Sequence, residues 1–409
     1  MTKTTNIQQD TFNVPKGYKK TPLGIIPKEW EIKRFKKLFS FKNGINSGKE
    51  NYGQGIKFVN TLDVLSNNFM TYDSLRGSVV VTDNQKKEFA VVKGDVLFNR
   101  TSETPEDIGH ASVYVDTQNA VFGGFIIRAH SLDNSIDIDF KKYCFATPSV
   151  RKQIVAFGNG AIRYNIGQED IAKTLIALPP LPEQQKIAEI LSTWDMAIEK
   201  QNSLIEQLEL RKRGLMQQLL TGKSRLRKAS GERFKGEWKK ARFNNVFKVI
   251  NIKNFQIPKS EYKETGKHPI VDQGQKTIIA FTDSENIFKN IPVIIFGDHT
   301  RIVKWIDFNF AVGADGTQAL QTNKDNNLKF LYYLLFNTEI VNLGYSRHMR
   351  ELKQKYFLIP PLAEQTAIAI VLSTTDKEIE IEKQKLTTLQ NQKKGLMQVL
   401  LSGKVRVKI

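Results

Sequence analysis

Few stretches of this 409-residue sequence could carry chemistry. The run "QQLLTGKS", ending at Ser224, has the Gly-Lys-Ser tail of a phosphate-binding loop, in which backbone N–H groups cradle phosphate oxygens and the lysine neutralises them. The first glycine of that motif would fall on Gln217, and the run leaves a helical pattern instead of joining a strand to a helix. It reads better as a helix end with trailing basic residues. "AVGADG" (Ala311–Gly316) is a glycine pair without a βαβ unit around it, a weak cofactor-loop signal. An amino-methyltransferase needs Asn/Asp/Ser-Pro-Pro-aromatic, yet both Pro-Pro pairs are followed by leucine. Five scattered histidines and one cysteine lack metal-ligand spacing. "EFAVVKGD" offers carboxylates and a lysine but no strand-spaced aspartate partner for a nuclease. No catalytic set emerges.

What does emerge is charge. Sixty-one Lys+Arg against 42 Asp+Glu give +19, which points to a polyanionic partner, most often nucleic acid. The basic residues are spread along the whole chain, which disfavours a membrane-surface patch. No apolar run approaches the length of a membrane span, and "MTKTTNIQQDTFNVPKGYKK" is not a signal peptide. A lone Cys144 fits a reducing compartment, so the cytoplasm is expected.

The elements that would position binding groups come from a repeat. Pro179–Arg225 aligns without a gap to Pro360–Arg406, 181 residues later, with about half the positions identical, Glu183/Glu364, Gln184/Gln365 and Asp195/Asp376 among them. Leu191, Ile198, Ile205, Lys212 and Leu219 recur every seven residues, with Trp194, Gln201, Leu208 and Leu215 between them. The second copy places Leu372, Ile379, Leu386, Lys393 and Leu400, with Thr375, Glu382, Leu389 and Leu396, at the same positions. These are a and d positions of a short, imperfect coiled coil, whose polar members weaken the seam and fix its register. Prolines at the start and Gly222 and Gly403 at the stop bound each helix. Two copies with one seam predict that the helices pack on each other. An antiparallel arrangement would place the two globular pieces at opposite ends of a rod of about 42 Å. The "PPLxEQ" opening admits two readings, a helix cap or a surface gripped by a partner.

Around the helices, β-branched and aromatic runs such as "SVVVTD", "NAVFGGFIIRAH" and "IPVIIFGDHTRIVKWIDF" predict short strands. Helical patches make both pieces mixed α and β. "EWEIKRFKKLF" at Glu29 and "EWKKARFNNVF" at Glu237 echo each other; elsewhere the heads diverge. The expected fold is therefore α+β, two mixed α/β domains separated by an antiparallel pair of long helices, pseudo-twofold by internal duplication. The expected boundaries are 1–178 for the first head, 179–222 for the central helical region, 223–357 for a basic linker and second head, and 358–409 for the last helical region. Lys223–Arg242 holds nine Lys/Arg and two Glu, a solvated linker or a phosphate contact.

Duplicated "PPLxEQ" helices ending in "GLMQ.LL.GK.R", two divergent heads and "TPLGIIPKEWEI" near the start resemble the DNA-specificity subunit of type I restriction–modification systems over nearly the whole length. That resemblance implies a non-catalytic reading head. Two target-recognition domains would each read half of a bipartite site in double-stranded DNA, and the helices would space them and dock two methylation subunits. The partners would bring S-adenosylmethionine for adenine-N6 methylation, and motor-nuclease subunits would add ATP and Mg; this chain would hold no cofactor or metal of its own. The competing classes are a self-contained methyltransferase or nuclease, and a coiled-coil scaffold with incidental basic charge.

By analogy with the family, the DNA contacts fall on polar loops: Arg100 and Thr101 in "FNRTSE", Arg163, Tyr164 and Asn165 in "GAIRYNIG", Asp298, His299, Thr300 and Arg301 in "GDHTR", and Arg347, His348 and Arg350 in "GYSRHMREL". Arginine suits guanine or phosphate, asparagine suits adenine, and threonine can touch a thymine methyl. Partner docking is expected at Glu183, Gln184, Glu364 and Gln365. The expected seam is Trp194, Ile198, Ile205, Leu208 and Leu215 with Ile379, Leu386, Leu389 and Leu396.

Overall fold

The computed structural model describes residues 14–160, 163–322, 325–342, 344 and 346–409. The chain divides into two compact units, one of residues 1–200 with 387–409 and the other of 201–386. The helical regions are thus not bodies of their own, since each unit contains one head and a stretch of both long helices.

In the first unit, a five-stranded sheet runs in the order Phe39–Asn43, Ile126–Ser131, Val96–Asn99, Ala111–Tyr114, Phe69–Met70. Val96–Asn99 is buried at every position, which explains why it reads as a continuous apolar run without alternation. Phe98 and Phe35 both set their rings against Phe145 at 5.6 Å between centroids, where the sheet meets the helices Ile138–Cys144 and Pro148–Phe157. A second sheet of four strands, Gly77–Val79, Tyr52–Val59, Ala120–Phe122 and Ala90–Val91, has its own small cores. The antiparallel pair Glu31–Arg34 and Leu175–Leu178 closes the head by joining its two ends just ahead of the first long helix.

The second unit repeats the plan. A four-stranded sheet orders Phe247–Ile250, Thr317–Thr322, Val293–Gly297 and Val303–Ile306, and a three-stranded sheet orders Ala280–Thr282, His268–Val271 and Ala311–Val312. The closing pair is Lys239–Arg242 with Tyr356–Ile359, ahead of the second long helix. The core gathers Phe243, Phe247, Phe330, Leu331 and Phe357 with Ile368 and Leu372 of that helix.

Each long helix has 39 residues, Leu181–Leu219 and Leu362–Leu400, and starts directly after a Pro-Pro pair. Past the stops, Gly222 and Gly403 adopt φ of +72° and +71°, the left-handed conformation that lets the chain turn off the helix end. Within each unit the two helices run antiparallel. In the first unit Asp195 pairs with Lys393 and Glu183 with Arg406. In the second, Gln201 meets Glu382, Lys212 meets Asp376 at 2.5 Å and Arg225 meets Glu364. Of the seam positions, Ile205, Leu208 and Ile379 are buried, while Trp194, Ile198, Leu215, Leu386, Leu389 and Leu396 are half-buried. The polar seam members find partners in duplicate. Asp195 accepts from Tyr143 at 2.7 Å and pairs with Lys393, and Asp376 accepts from Tyr333 at 2.5 Å and pairs with Lys212. In both copies the lysine also sits over the tyrosine ring, at 5.4 Å and 5.9 Å from its centroid. Burial pushes both phenols well above the ordinary tyrosine range, which keeps them protonated as donors to the aspartates.

Candidate nucleic-acid interface

In the first head, residues far apart in sequence come together. The chain leaves Val96–Asn99 at Arg100, and Thr101–Ser102 then pairs antiparallel with Tyr164–Asn165, which sits in the loop before the short helix Gln168–Lys173. Thr101 Oγ1 donates to Asn165 Oδ1 at 2.9 Å, and the Ile166 N–H donates to the Arg100 carbonyl at 3.0 Å. Asn165 and Arg163 are exposed, while Arg100, Thr101 and Tyr164 are half-buried. Ala161 and Ile162 of the same motif lie outside the described residues. Arginine, threonine and asparagine side chains thus share one loop pair, a chemistry suited to base edges and phosphates.

The second head builds the corresponding pair from Val293–Gly297 and the loop before the helix Met349–Gln354. The His348 N–H donates to the Asp298 carbonyl at 2.8 Å, and the Met349 N–H donates to Asp298 Oδ1 at 2.6 Å. Here the sequence expectation needs correcting at two positions. Asp298 and His348 are buried, and they fasten one loop to the other, so neither side chain is presented outward. Two more candidates also brace the loops. Thr300 Oγ1 donates to the Gln273 carbonyl at 2.5 Å, and Arg301, at φ +62°, donates to the Ile340 carbonyl at 3.1 Å. The His299 N–H donates to Gln273 Oε1 at 3.0 Å, which makes Gln273 a member of the cluster that sequence reasoning missed. Arg347 and Arg350 are exposed; Arg347 lies 3.6 Å from Asp315. Tyr345 of this loop lies outside the described residues.

The expected partner-docking residues are corrected as well. Glu183, Gln184, Glu364 and Gln365 are no more than 1% exposed, so a partner cannot grip their side chains. Glu183 accepts from Trp30 Nε1 at 3.0 Å and takes a two-point ion pair from Arg406 at 2.6 and 2.9 Å. Glu364 repeats this with Trp238 at 3.2 Å and Arg225 at 2.5 Å on each oxygen. The bond to Glu183 holds the Arg406 guanidinium still further above its already high range. Gln184 donates to the carbonyls of Pro179 and Ser135 and accepts from the Asp137 N–H; Gln365 likewise donates to the Pro360 carbonyl and accepts from the Asn327 N–H. The motif therefore locks the helix start to its own head and to the chain leaving the other helix. Both Arg225 and Arg406 close the aligned repeat, and both tryptophans belong to the echoed "EW" pairs, so the signal was present in the sequence.

The discounted motifs fall where structure needs them. "QQLLTGKS" is the end of the first long helix. Asp95 of "EFAVVKGD" is buried, and its carboxyl is pushed up by that burial against the opposing pull of the Val92 N–H and His130, whose Nδ1 lies 2.6 Å away. Among the described residues, no group of three or more His, Cys, Asp or Glu is placed to hold a metal ion, and no helix is long and apolar enough to cross a membrane.

The chain is similar to known proteins in sequence and in fold. The family model Methylase_S, described as the type I restriction modification DNA specificity domain, matches residues 27–210 and again 235–391, one match per head with most of its helix. The chain is 26% identical over 426 residues to a protein assigned as the type I restriction enzyme MjaX specificity subunit of Methanocaldococcus jannaschii, covering 97% of this chain and 98% of that one. It is 24% identical to the MjaIX specificity subunit of the same organism, over 95% and 96%. The solved S subunit of a type I restriction–modification system from M. genitalium superposes with TM-score 0.55 at 16% identity, over 93% of this chain and 96% of that one. A chain from a structure concerned with complex assembly of the type I R-M system gives 0.53 at 14%, over 93% and 99%. These two likenesses concern the fold.

Proposed function

The chain belongs to the type I restriction–modification DNA-specificity family, as a DNA-recognition subunit with two recognition domains, and on that premise we propose how it works. Each domain reads one half of a bipartite site in double-stranded DNA through its paired loops, and the chain itself catalyses no reaction. Two methylation subunits supply S-adenosylmethionine and methylate adenine at N6; motor-nuclease subunits, with ATP and Mg, carry out restriction. The work is cytoplasmic, where the chromosome lies.

One observation carries this reading. Both units build the same backbone junction, a strand-end loop fastened to the loop before a short helix, yet fill it differently: Arg100, Thr101, Arg163 and Asn165 in one, His299, Arg347 and Arg350 around a buried Asp298 in the other. A constant frame with different polar side chains suits two readers of different half-sites. Because "PPLxEQ" is buried, we place partner docking on uncovered apolar side chains of the long helices instead, Leu210 and Ile370 foremost, at 62% and 59% exposed.

Binding of the chain, assembled with its methylation subunits, to duplexes of its methylated motif tests the proposal. Specific binding is expected to exceed binding to scrambled duplex by about a thousandfold or more and to weaken steeply with salt. Equal affinity for both duplexes at every salt concentration would refute it.

A further inference from the structure

We propose that Phe125 is a specificity-determining residue of the first recognition domain, setting its ring against the C5-methyl group of a thymine in that domain's half-site. This rests on the reading of the paired loops as DNA faces. Phe125 is 63% exposed, although burying such a side chain is normally favourable. Its position is nevertheless fixed. The Arg100 N–H donates to its carbonyl at 2.8 Å, so the ring's own backbone is tied to the first residue of the reading loop. The turn behind it is held by Gly124 N–H to the Ile45 carbonyl at 2.8 Å and Ile126 N–H to the Gly123 carbonyl at 2.9 Å. A Cβ on Gly123 would lie 2.6 Å from the Phe58 ring, and one on Gly124 would lie 1.8 Å from Asn46 Oδ1, so bulkier residues cannot make this turn unless their neighbours shift. A recess of about 320 Å³, lined among others by Ile45, Asn46, Tyr52 and Phe58, adjoins the ring.

The second domain supplies the contrast. There the Asp298 N–H donates to the Gly316 carbonyl at 2.8 Å, which makes Gly316 the backbone counterpart of Phe125. A Cβ on Gly316 would come within 2.7 Å of His299 and 2.9 Å of Gln273, so imidazole and amide groups occupy the space where the first domain extends an aromatic ring. At one place in a duplicated frame, one domain is apolar and the other polar. Among unmodified base edges in the major groove, only thymine carries a methyl group, and phenylalanine is suited to contact it.

The test uses the chain assembled with its methylation subunits and duplexes of the motif found from the methylated adenines. Each thymine of both half-sites is replaced in turn by deoxyuridine, which removes only the methyl group. One replacement is expected to weaken wild-type binding about fourfold, the value of one buried methyl-sized group. Phe125→Ala should bind the unmodified duplex at least as weakly and be indifferent to that same replacement, while Phe125→Leu keeps part of the response. If no replacement distinguishes wild type from Phe125→Ala, the proposal is overturned. Arg100→Ala and Asn165→Ala separate the two levels: if they weaken selective binding while Phe125→Ala shows no coupling, the loop reading stands and the thymine contact falls. If they too leave selectivity unchanged, the loop reading itself falls and takes the thymine contact with it.

Discussion

Glu183→Ala should loosen the first unit while leaving assembly with methylation subunits intact. The carboxylate is 1% exposed and serves both the Trp30 indole and the Arg406 guanidinium. Removing one partner from a buried ion pair costs about 3–5 kcal/mol. Arg406 keeps a third of its side chain in water and retains its ion pair with Glu29 at 2.8 Å, so the cation left behind still has a partner and the cost sits at the low end. The indole N–H, buried with Trp30 at 0% exposure, adds about 1 kcal/mol when left without its acceptor. The net expectation is about 4 kcal/mol, or a fall of about 8–16 °C in the melting temperature for a unit of this size. Glu183→Gln, which keeps an acceptor for Trp30 but no charge, should fall between. Denaturant unfolding gives the free energy through the midpoint and slope, and co-purification with the methylation subunits reads assembly. A loss below about 1 kcal/mol accompanied by failed assembly would refute the reasoning and return the carboxylate to a docking role.

The duplicated tyrosines allow a paired test: Tyr143→Phe and Tyr333→Phe each remove a hydroxyl bond to an aspartate and should each cost about 1.5–2 kcal/mol in unfolding experiments. Burial raises Asp95 above its ordinary 3.8, so the folded state retains a proton that the unfolded chain has lost. Its contribution to stability is then fully present below pH 3.8 and is lost as pH rises through the raised value. Plotted against pH, the stability difference between wild type and Asp95→Asn should decline across that window; a flat difference would contradict the burial argument. Leu210→Asp, at an exposed helix position, should leave the melting temperature within about 1–2 °C and weaken co-purification of the methylation subunits.

The skeleton was legible because it was written twice. Identical positions in the two helices marked Asp195/Asp376 and Arg225/Arg406, and the "EW" echo marked Trp30 and Trp238; these turned out to form the same brackets in each unit. What the motif does was less legible. Glu183 and Gln184 look like surface residues of a first helical turn, and nothing local reveals that Arg406 returns to pair with Glu183 or that Ser135 and Asp137 close on Gln184. The reading loops show the same limit. Thr101 and Asn165 meet across 64 positions through a two-residue strand pair too short for any periodic signal. "GDHTR" reads as an exposed turn, yet Asp298 is buried because it caps the backbone of a loop about fifty residues away. Heads that diverge from each other offer no second copy against which to check such contacts.

The central claim is that two independent readers sit in one chain. The direct measurement is to co-express it with its methylation and motor subunits and map methylated adenines genome-wide, then repeat after exchanging residues 227–357 for those of a relative with a different target. One half of the methylated motif should change while the other half stays the same. A change in both halves, or in neither, would contradict the account.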